Sequence, residues 1–554
     1  MTRRPAVVSS LALLAAVAAG QALAQEPVVE FTVSPRDTLI GLSQDVFTSP
    51  AAWREIAVLN KLPNPNRILP GQVLKVPVRL MRWQAIPARI TSTVGEVQLG
   101  GAPTQAGAAV QEGQALQTGE NASAVIELAD GSRVRIPPSS LAELAASRRY
   151  GGRVGAEPAA DGASSWFAGA MRLLRGSVEA FARKVPRAKP LEVETPTAVV
   201  GVRGTQFRVA IDADPGKAAL TRTEVLEGLV RLDSAAQNAR AAGTDVAAGF
   251  GATVEATAPP GAPRPLPQAP DLAAMPERFE RPLVRFALPG ELGTVRVQVA
   301  LDAAFDKIVH DQRIPAGTDV RIPGLDDGSW QLRARRVDDA GLEGFDSARA
   351  FVLKARPEPP ATNTPRAGAK QTVGGVEFSW ASNIEAQTVH LQVASDAKFE
   401  QLVLDRRDVS GSAVAGQLAQ AGTYHWRVAS IKADGDHGPF GDAQRFELRA
   451  LPEPPTGGVA PDGRSLVLSW SGRAEDIQHV ELASDPAFKT IVAQADLDKP
   501  EWAVPPPSRS GTYYFRYRSI EPDGFVSPYS STLTIEVPRD WKPLWLLAPL
   551  LLLL

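Results

Sequence analysis

All five histidines of the chain, His310, His390, His425, His437 and His479, fall in its C-terminal half. None stands at the spacing of a metal-ligand set or of a catalytic triad, so they read as exposed strand or loop side chains. Cysteine is absent, which removes disulfides, thiolate metal sites, a cysteine nucleophile and a lipid-bearing cysteine. Asp and Glu number 61, enough for two carboxylates to converge as a glycosidase pair, yet no segment reads as a hydrolase barrel or cleft. The expectation is a protein that is not an enzyme and holds neither cofactor nor metal.

With no catalytic constellation, function must rest on what the elements present to a partner. A length of 554 residues suggests about four domains at roughly 150 residues each, more if β modules are small, and five are found. The 47 prolines and 46 glycines follow no collagen-like period and read as turns and linkers among short strands. Net charge is −2 and becomes more negative once Arg3 and Arg4 leave with the leader, so nucleic acid is excluded as a partner.

Residues 1–24 carry Arg3 and Arg4, an apolar run from Ala6 to Ala19, and Ala22-Leu23-Ala24 before Gln25. This is the order of a signal peptide with an A-x-A cleavage site. The alternative, a membrane anchor, asks for a longer run of roughly 20 residues. Residues 29–78 then form a small βααβ unit: a strand ending at Val33, two helices and a closing strand at Val73 to Val76. Ser49-Pro50 opens the second helix, and Trp53, Ile56 and Leu59 give it an apolar face.

The unit resembles a LysM domain over nearly its full length. Asp37-Thr38-Leu39 matches that family's G-D-T-L step, with Arg36 in place of the usual glycine; Asn60, Asn64-Pro65-Asn66 through Ile68, and Pro70-Gly71-Gln72-Val73-Leu74 match its second half. The resemblance implies a shallow groove for peptidoglycan or another N-acetylglucosamine-containing glycan between two loops. By position these are Asp37, Thr38 and Leu39, and Asn64, Pro65, Asn66, Arg67, Ile68 and Leu69. Main-chain groups there would bond acetamido groups while Leu39 and Ile68 cover sugar faces. The other reading keeps the fold as a spacer.

Residues 83–255 form a β-rich domain. Ile90 to Leu99 reads as two strands about a Gly-Glu turn, Asp130-Gly131 as a hairpin, and Gly176 and Gly228 as turns. At its centre stands TPTAVVGVRGTQFRV, Thr195 to Val209. Val199, Val200, Val202, Phe207 and Val209 supply buried-strand content, with Gly201 and Gly204 for close backbone approach. The order of these segments resembles a FecR-type domain, with Val202, Arg203, Gly204, Thr205 and Phe207 in its central motif, read as structural. Members of that family sense a ligand and signal through a cytoplasmic N-terminal segment; here an export signal begins at residue 1, so an exported folding or binding domain is expected. Arg148 to Ser165, rich in Gly, Ala and Ser, reads as a mobile loop.

A Pro-rich segment at 256–275 reads as an extended linker. Beyond it the chain repeats at 94 and then 89 residues: Asp302, Asp396 and Asp485 each precede a phenylalanine (Phe305, Phe399, Phe488) by three positions, and Gly328, Gly422 and Gly511 follow at a common offset. The modules, 276–356, 357–451 and 452–538, resemble fibronectin type III or related immunoglobulin-like sandwiches, with Phe286, Trp380 and Trp470 between their sheets. Arg333, Arg427 and Arg516 share one phase and read as an exposed strand face. Residues 539–554 form an apolar tail too short to span a bilayer alone; three readings stay open, a membrane contact through Trp541, Lys542 and Trp545, a buried terminal segment, or a chain whose true end is missing.

The fold class expected is therefore mainly β and multidomain: a small βααβ LysM-like unit, a β-rich FecR-like domain and tandem β-sandwiches. The function expected is a non-catalytic cell-envelope protein that binds peptidoglycan and presents its β domains to an envelope protein or ligand. A periplasmic sensory subunit and an accessory to a cell-wall hydrolase are the alternatives. Ala, Arg and Pro richness points to a Gram-negative source and to the periplasm or cell envelope.

Overall fold

Residues 26–151, 166–202, 204–212, 218–236, 243–289, 292–460 and 464–538 are described by the computed structural model. The leader at 1–24, Arg203 and the tail at 539–554 lie outside them, as does the Gly/Ala-rich stretch from residue 152 to 165. The first three residues read as part of that loop, Arg148 to Tyr150, instead end the strand Leu141–Tyr150 and pair with Trp83–Ala85. The architecture is mainly β.

The N-terminal unit runs β1 (Val28–Thr32), α1 (Leu39–Asp45), α2 (Ala52–Leu59) and β2 (Val73–Pro77). In β1 apolar and polar residues alternate, so Val29 and Phe31 enter the core while Val28, Glu30 and Thr32 face outward. β1 pairs antiparallel with β2, Phe31 opposite Leu74. Thr38 caps α1, its Oγ1 accepting from the Gly41 amide at 3.0 Å. α2 starts at Ala52, two residues later than Pro50 had implied; Ser49 Oγ accepts from the Ala51 amide in the preceding turn. Its buried residues are Ala52, Ile56 and Ala57, while Leu59 is exposed. Asn60 ties α2 to β2: its Nδ2 donates to Ile56 O and Lys75 O, and its Oδ1 accepts from the Lys75 amide. The core is closed from outside the unit by Tyr150, Ala168 and Ala188 of the next domain.

That domain is a closed barrel made of two sheets. The 16-residue strand Trp166–Phe181 serves both. Its first half pairs with Leu141–Tyr150, and from Gly176 onward it pairs with Gln206–Asp212. Gly176, read as a turn, is the bend inside this strand: φ is 79°, and a Cβ would lie 2.8 Å from Ser140 Cα. The central motif crosses between the sheets. Ala198–Val202 pairs with Leu191–Glu194 in one, and Gln206–Asp212 pairs with Leu220–Glu227 in the other. Gly204 lies at the crossing with φ 71°, and its missing side chain admits the stem of Lys184. At Gly201, by contrast, a Cβ would make only ordinary contact, 3.8 Å from Pro190 Cβ, so its glycine is not required for close approach.

The Pro-rich segment is not a free linker. Arg264–Pro265 adds to the barrel strand Phe250–Glu255, and Leu266, Leu272 and Met275 are buried. Pro267 O accepts from the Phe345 amide of the first sandwich at 3.0 Å. Each sandwich has two sheets; in the second, six strands including Thr388–Ala394 and Gly422–Ile431 face three. Phe286, Trp380 and Trp470 are buried in their modules. The repeated Asp-x-x-Phe is a tight turn. Asp396 accepts from the amides of Lys398, Glu400 and Gln401, which holds its carboxyl below the usual range, and Asp485 does the same with Ala487, Lys489 and Thr490. The phenylalanines take φ near 57°, 61° and 55°. Each carries the repeated arginine over its ring: Arg333 on Phe305 at 4.6 Å, Arg427 on Phe399 and Arg516 on Phe488 at 3.9 Å.

The shared phase of these arginines is thus a cation–π stack, and Arg333 is buried, not exposed. The described chain divides into two compact units, one reaching to Phe279 and resuming at Leu283–Leu353, the other holding Glu280–Pro282 and the chain from Lys354. The first sandwich therefore belongs with the barrel, and a buried ionic cluster joins them. Glu179 of the barrel takes Arg333 and Arg335 of the sandwich at 2.7 and 2.6 Å, together with Arg135. Glu343 takes Arg296 and Arg335 at 2.7 and 3.0 Å. The surrounding guanidinium groups outweigh burial and hold both carboxyls below their ordinary range. Glu224, also buried, is pushed up to about 7 by burial and by the Glu343 carboxylate, and its Oε1 accepts from the Glu343 amide.

The histidines are not exposed either. His390 is buried between Asp405 and His437, with His390 Nδ1 2.9 Å from His437 Nε2. One repeat earlier the same three places hold Arg296, Asp311 and Glu343.

Candidate glycan-binding site

The two loops of the N-terminal unit are held together at their bases. The Val33 amide donates to Gln72 O at 2.9 Å and the Gly71 amide to Val33 O at 2.8 Å. In the first loop Asp37 accepts from the Ser34 amide at 2.8 Å, which closes a turn. Arg36 adopts φ 75° in that turn, the left-handed region that favours glycine. This is the physical reason glycine is usual at that position, and Arg36 departs from it at a cost in strain.

In the second loop Asn64 Oδ1 accepts from the Asn66 amide at 3.0 Å, and the Arg67 amide donates to Asn64 O. Leu69 and Gln72 bind each other twice: Gln72 Oε1 accepts from the Leu69 amide and Leu69 O from the Gln72 amide, both at 3.0 Å. The loop is thereby rigid, as a groove wall needs to be.

The side chains divide in a way the sequence had concealed. Thr38, Asn64, Asn66, Arg67 and Leu69 are exposed, and Asp37 and Pro65 half-buried. Leu39, 1 % exposed, and Ile68, 9 % exposed, point into the core and pack with Phe31, Ile56 and Leu74. They cannot cover a sugar, because Leu39 is the first residue of a helix whose inner face it belongs to and Ile68 closes the same core from the opposite loop. Leu69, 58 % exposed, is the apolar residue available for a sugar face. In the central barrel motif Val202, Thr205 and Phe207 are buried. Thr205 O accepts from the Ala182 amide, and a Cβ on Gly228 would lie 2.5 Å from Thr205 Cγ2. These residues hold the barrel together.

Among the described residues no group of three or more His, Asp and Glu is placed to hold a metal ion, and no helix is long and apolar enough to cross a membrane.

Comparison with known families gives two matches. Residues 31–77 match the LysM domain, and residues 114–231 match the FecR protein family. No curated protein sequence matches the chain. Similar solved structures are the FN1-FN3 domains of chicken CNTN1, at 13% identity over 50% of this chain and 100% of that one with TM-score 0.20, and the fibronectin(III)-like modules of Clostridium thermocellum CbhA, at 13% identity over 32% and 93% with TM-score 0.20. A segment of two fibronectin type III domains from chicken tenascin matches at 11% identity over 32% and 98%, with TM-score 0.19. The protein is a multidomain β protein of modular build. A segment matching LysM is followed by one matching FecR, and three two-sheet β modules come after them.

Proposed function

We propose that the protein is a non-catalytic component of the cell envelope that binds peptidoglycan through the LysM loops and holds the FecR barrel at a fixed place beside the wall. The observation that carries this reading is the pairing of two rigid, stapled loops with an outward set of Thr38, Asn64, Asn66, Arg67 and Leu69 on a domain matching LysM. LysM domains bind N-acetylglucosamine-containing glycans, and LysM, FecR and fibronectin-like domains are generally non-catalytic. Export to the periplasm belongs to the same proposal.

A sensory role is the second reading, favoured by the FecR match, since FecR points to a signalling-related domain. The two readings join if wall binding is what the barrel reports. Calorimetric titration of the full chain with chitin oligomers tests the glycan step. Binding is expected at a modest affinity, and Leu69→Asp should weaken it about tenfold without altering the melting temperature, because an exposed loop residue contributes little to the core. Absence of heat with the wild-type chain would remove the reading.

A further inference from the structure

The outward face of β1 does not end in solvent. Val28 and Glu30 form one wall of a cavity of about 420 Å³ whose other walls come from the FecR barrel: Trp166, Lys184, Val185 and the backbone at Gly204. The loop that carries Lys184 and Val185 is anchored at its end, where Arg187 is buried in an ion pair with Asp130 at 2.6 Å. Trp166 is held by Phe31 of the LysM domain, ring centres 6.2 Å apart. The stem of Lys184 lies across Gly204, in space a side chain there would fill. The central barrel motif and the LysM strand thus shape one site together.

Its chemistry is mixed. Among the described residues neither Glu30 nor Lys184 makes an ion pair, although the barrel and the first sandwich are dense in them. A carboxylate and an ammonium without an ion-pair partner among the described residues, lining one cavity with an indole and the valines Val28 and Val185, suit a short zwitterionic peptide. A neutral sugar would leave both charges unused.

Resting on the reading that the LysM loops hold a glycan, we propose that this cavity takes the peptide stem of peptidoglycan. Lys184 would meet a stem carboxylate and Glu30 a stem amine. The reach is right: the outward face of β1 leads from Glu30 to Ser34 at the base of the first loop, roughly 13 Å along a strand, and a four-residue stem extends to about 14 Å.

The test is a titration of the full chain with three probes: chitin oligomers, soluble peptidoglycan fragments with stems intact, and the same fragments after amidase has removed the stems. Stem-bearing fragments should bind about tenfold tighter than stripped ones. Lys184→Ala and Glu30→Ala should each remove most of that gain while chitin binding stays unchanged. Equal binding of stem-bearing and stripped fragments, with chitin still bound, would overturn the stem site and leave the glycan reading intact. Loss of chitin binding in the Lys184 and Glu30 variants would show a structural role instead, and would also overturn it. Failure of all three probes with the wild-type chain would remove the glycan reading itself.

Discussion

Replacing Glu179 by Gln should destabilise the barrel and the first sandwich together. The carboxylate is 5 % exposed, and its Oε1 accepts from Arg333 and Arg335 of the sandwich while its Oε2 accepts from Arg135 of the barrel. Glutamine keeps one acceptor but turns an NH₂ group toward a guanidinium, so a buried donor faces a donor and three cations lose their shared anion. Breaking a buried pair in this way costs about 3–5 kcal/mol, much of it from the charge left behind. For a unit of this size about 1 kcal/mol moves the melting temperature by roughly 2 °C, so a drop of roughly 6 °C or more is expected. Calorimetry on the full chain is the assay, and the two compact units should appear as separate transitions of which only the first moves. A Glu179→Gln melting curve that overlays the wild type would refute the reasoning. It would mean the arginines are solvated and the interface is open in solution.

The same interface carries a pH dependence. Burial, with the Glu343 carboxylate beside it, pushes the Glu224 carboxyl up to about 7, so between about pH 4.5 and 7 the folded state keeps a proton the unfolded chain has lost, and stability falls as pH rises. The loss amounts to about 3 kcal/mol by pH 8. Glu224→Gln should therefore match the wild type near pH 5 and exceed it at pH 8; a variant less stable at both would contradict this assignment. Gly204→Val should cost about 1–3 kcal/mol, from a backbone at φ 71° and from collision with the Lys184 stem, read as a shift in the first thermal transition. Asp396→Ala should accelerate hydrogen exchange at the amides of Lys398, Glu400 and Gln401, and unchanged protection there would show the turn is held by other means.

Local pattern carried most of the fold into the sequence. Alternation in β1, the Asp130-Gly131 hairpin and the Asp-x-x-Phe repeat each specify a structure within a few residues, and each is present. What stayed hidden depends on partners far along the chain. Arg333, Arg427 and Arg516 share a phase, but only Arg333 meets Glu179, 154 residues before it. The prolines at 259–270 read as a spacer because composition reports local stiffness and not the barrel edge to which Arg264–Pro265 adds. Leu39 and Ile68 read from sequence as groove residues because a loop position does not say which way its side chain points; the burial of both follows from packing with Phe31 and Leu74. The cavity walls Glu30, Trp166 and Lys184 carry no common motif and become neighbours only when the two domains dock.

Cosedimentation of the full chain with purified peptidoglycan tests the central claim most directly. The LysM core borrows Tyr150, Ala168 and Ala188 from the barrel, so the full chain, and not a LysM fragment, is the proper reagent. The protein should pellet with the wall material and return to the supernatant when chitin oligomers are added. Binding should persist at moderate salt, since contacts made by hydrogen bonds and apolar cover survive the screening that weakens exposed charges beyond about 10 Å at 0.1 M. A chain that stays in the supernatant at moderate salt would contradict the account and leave the LysM domain as a spacer.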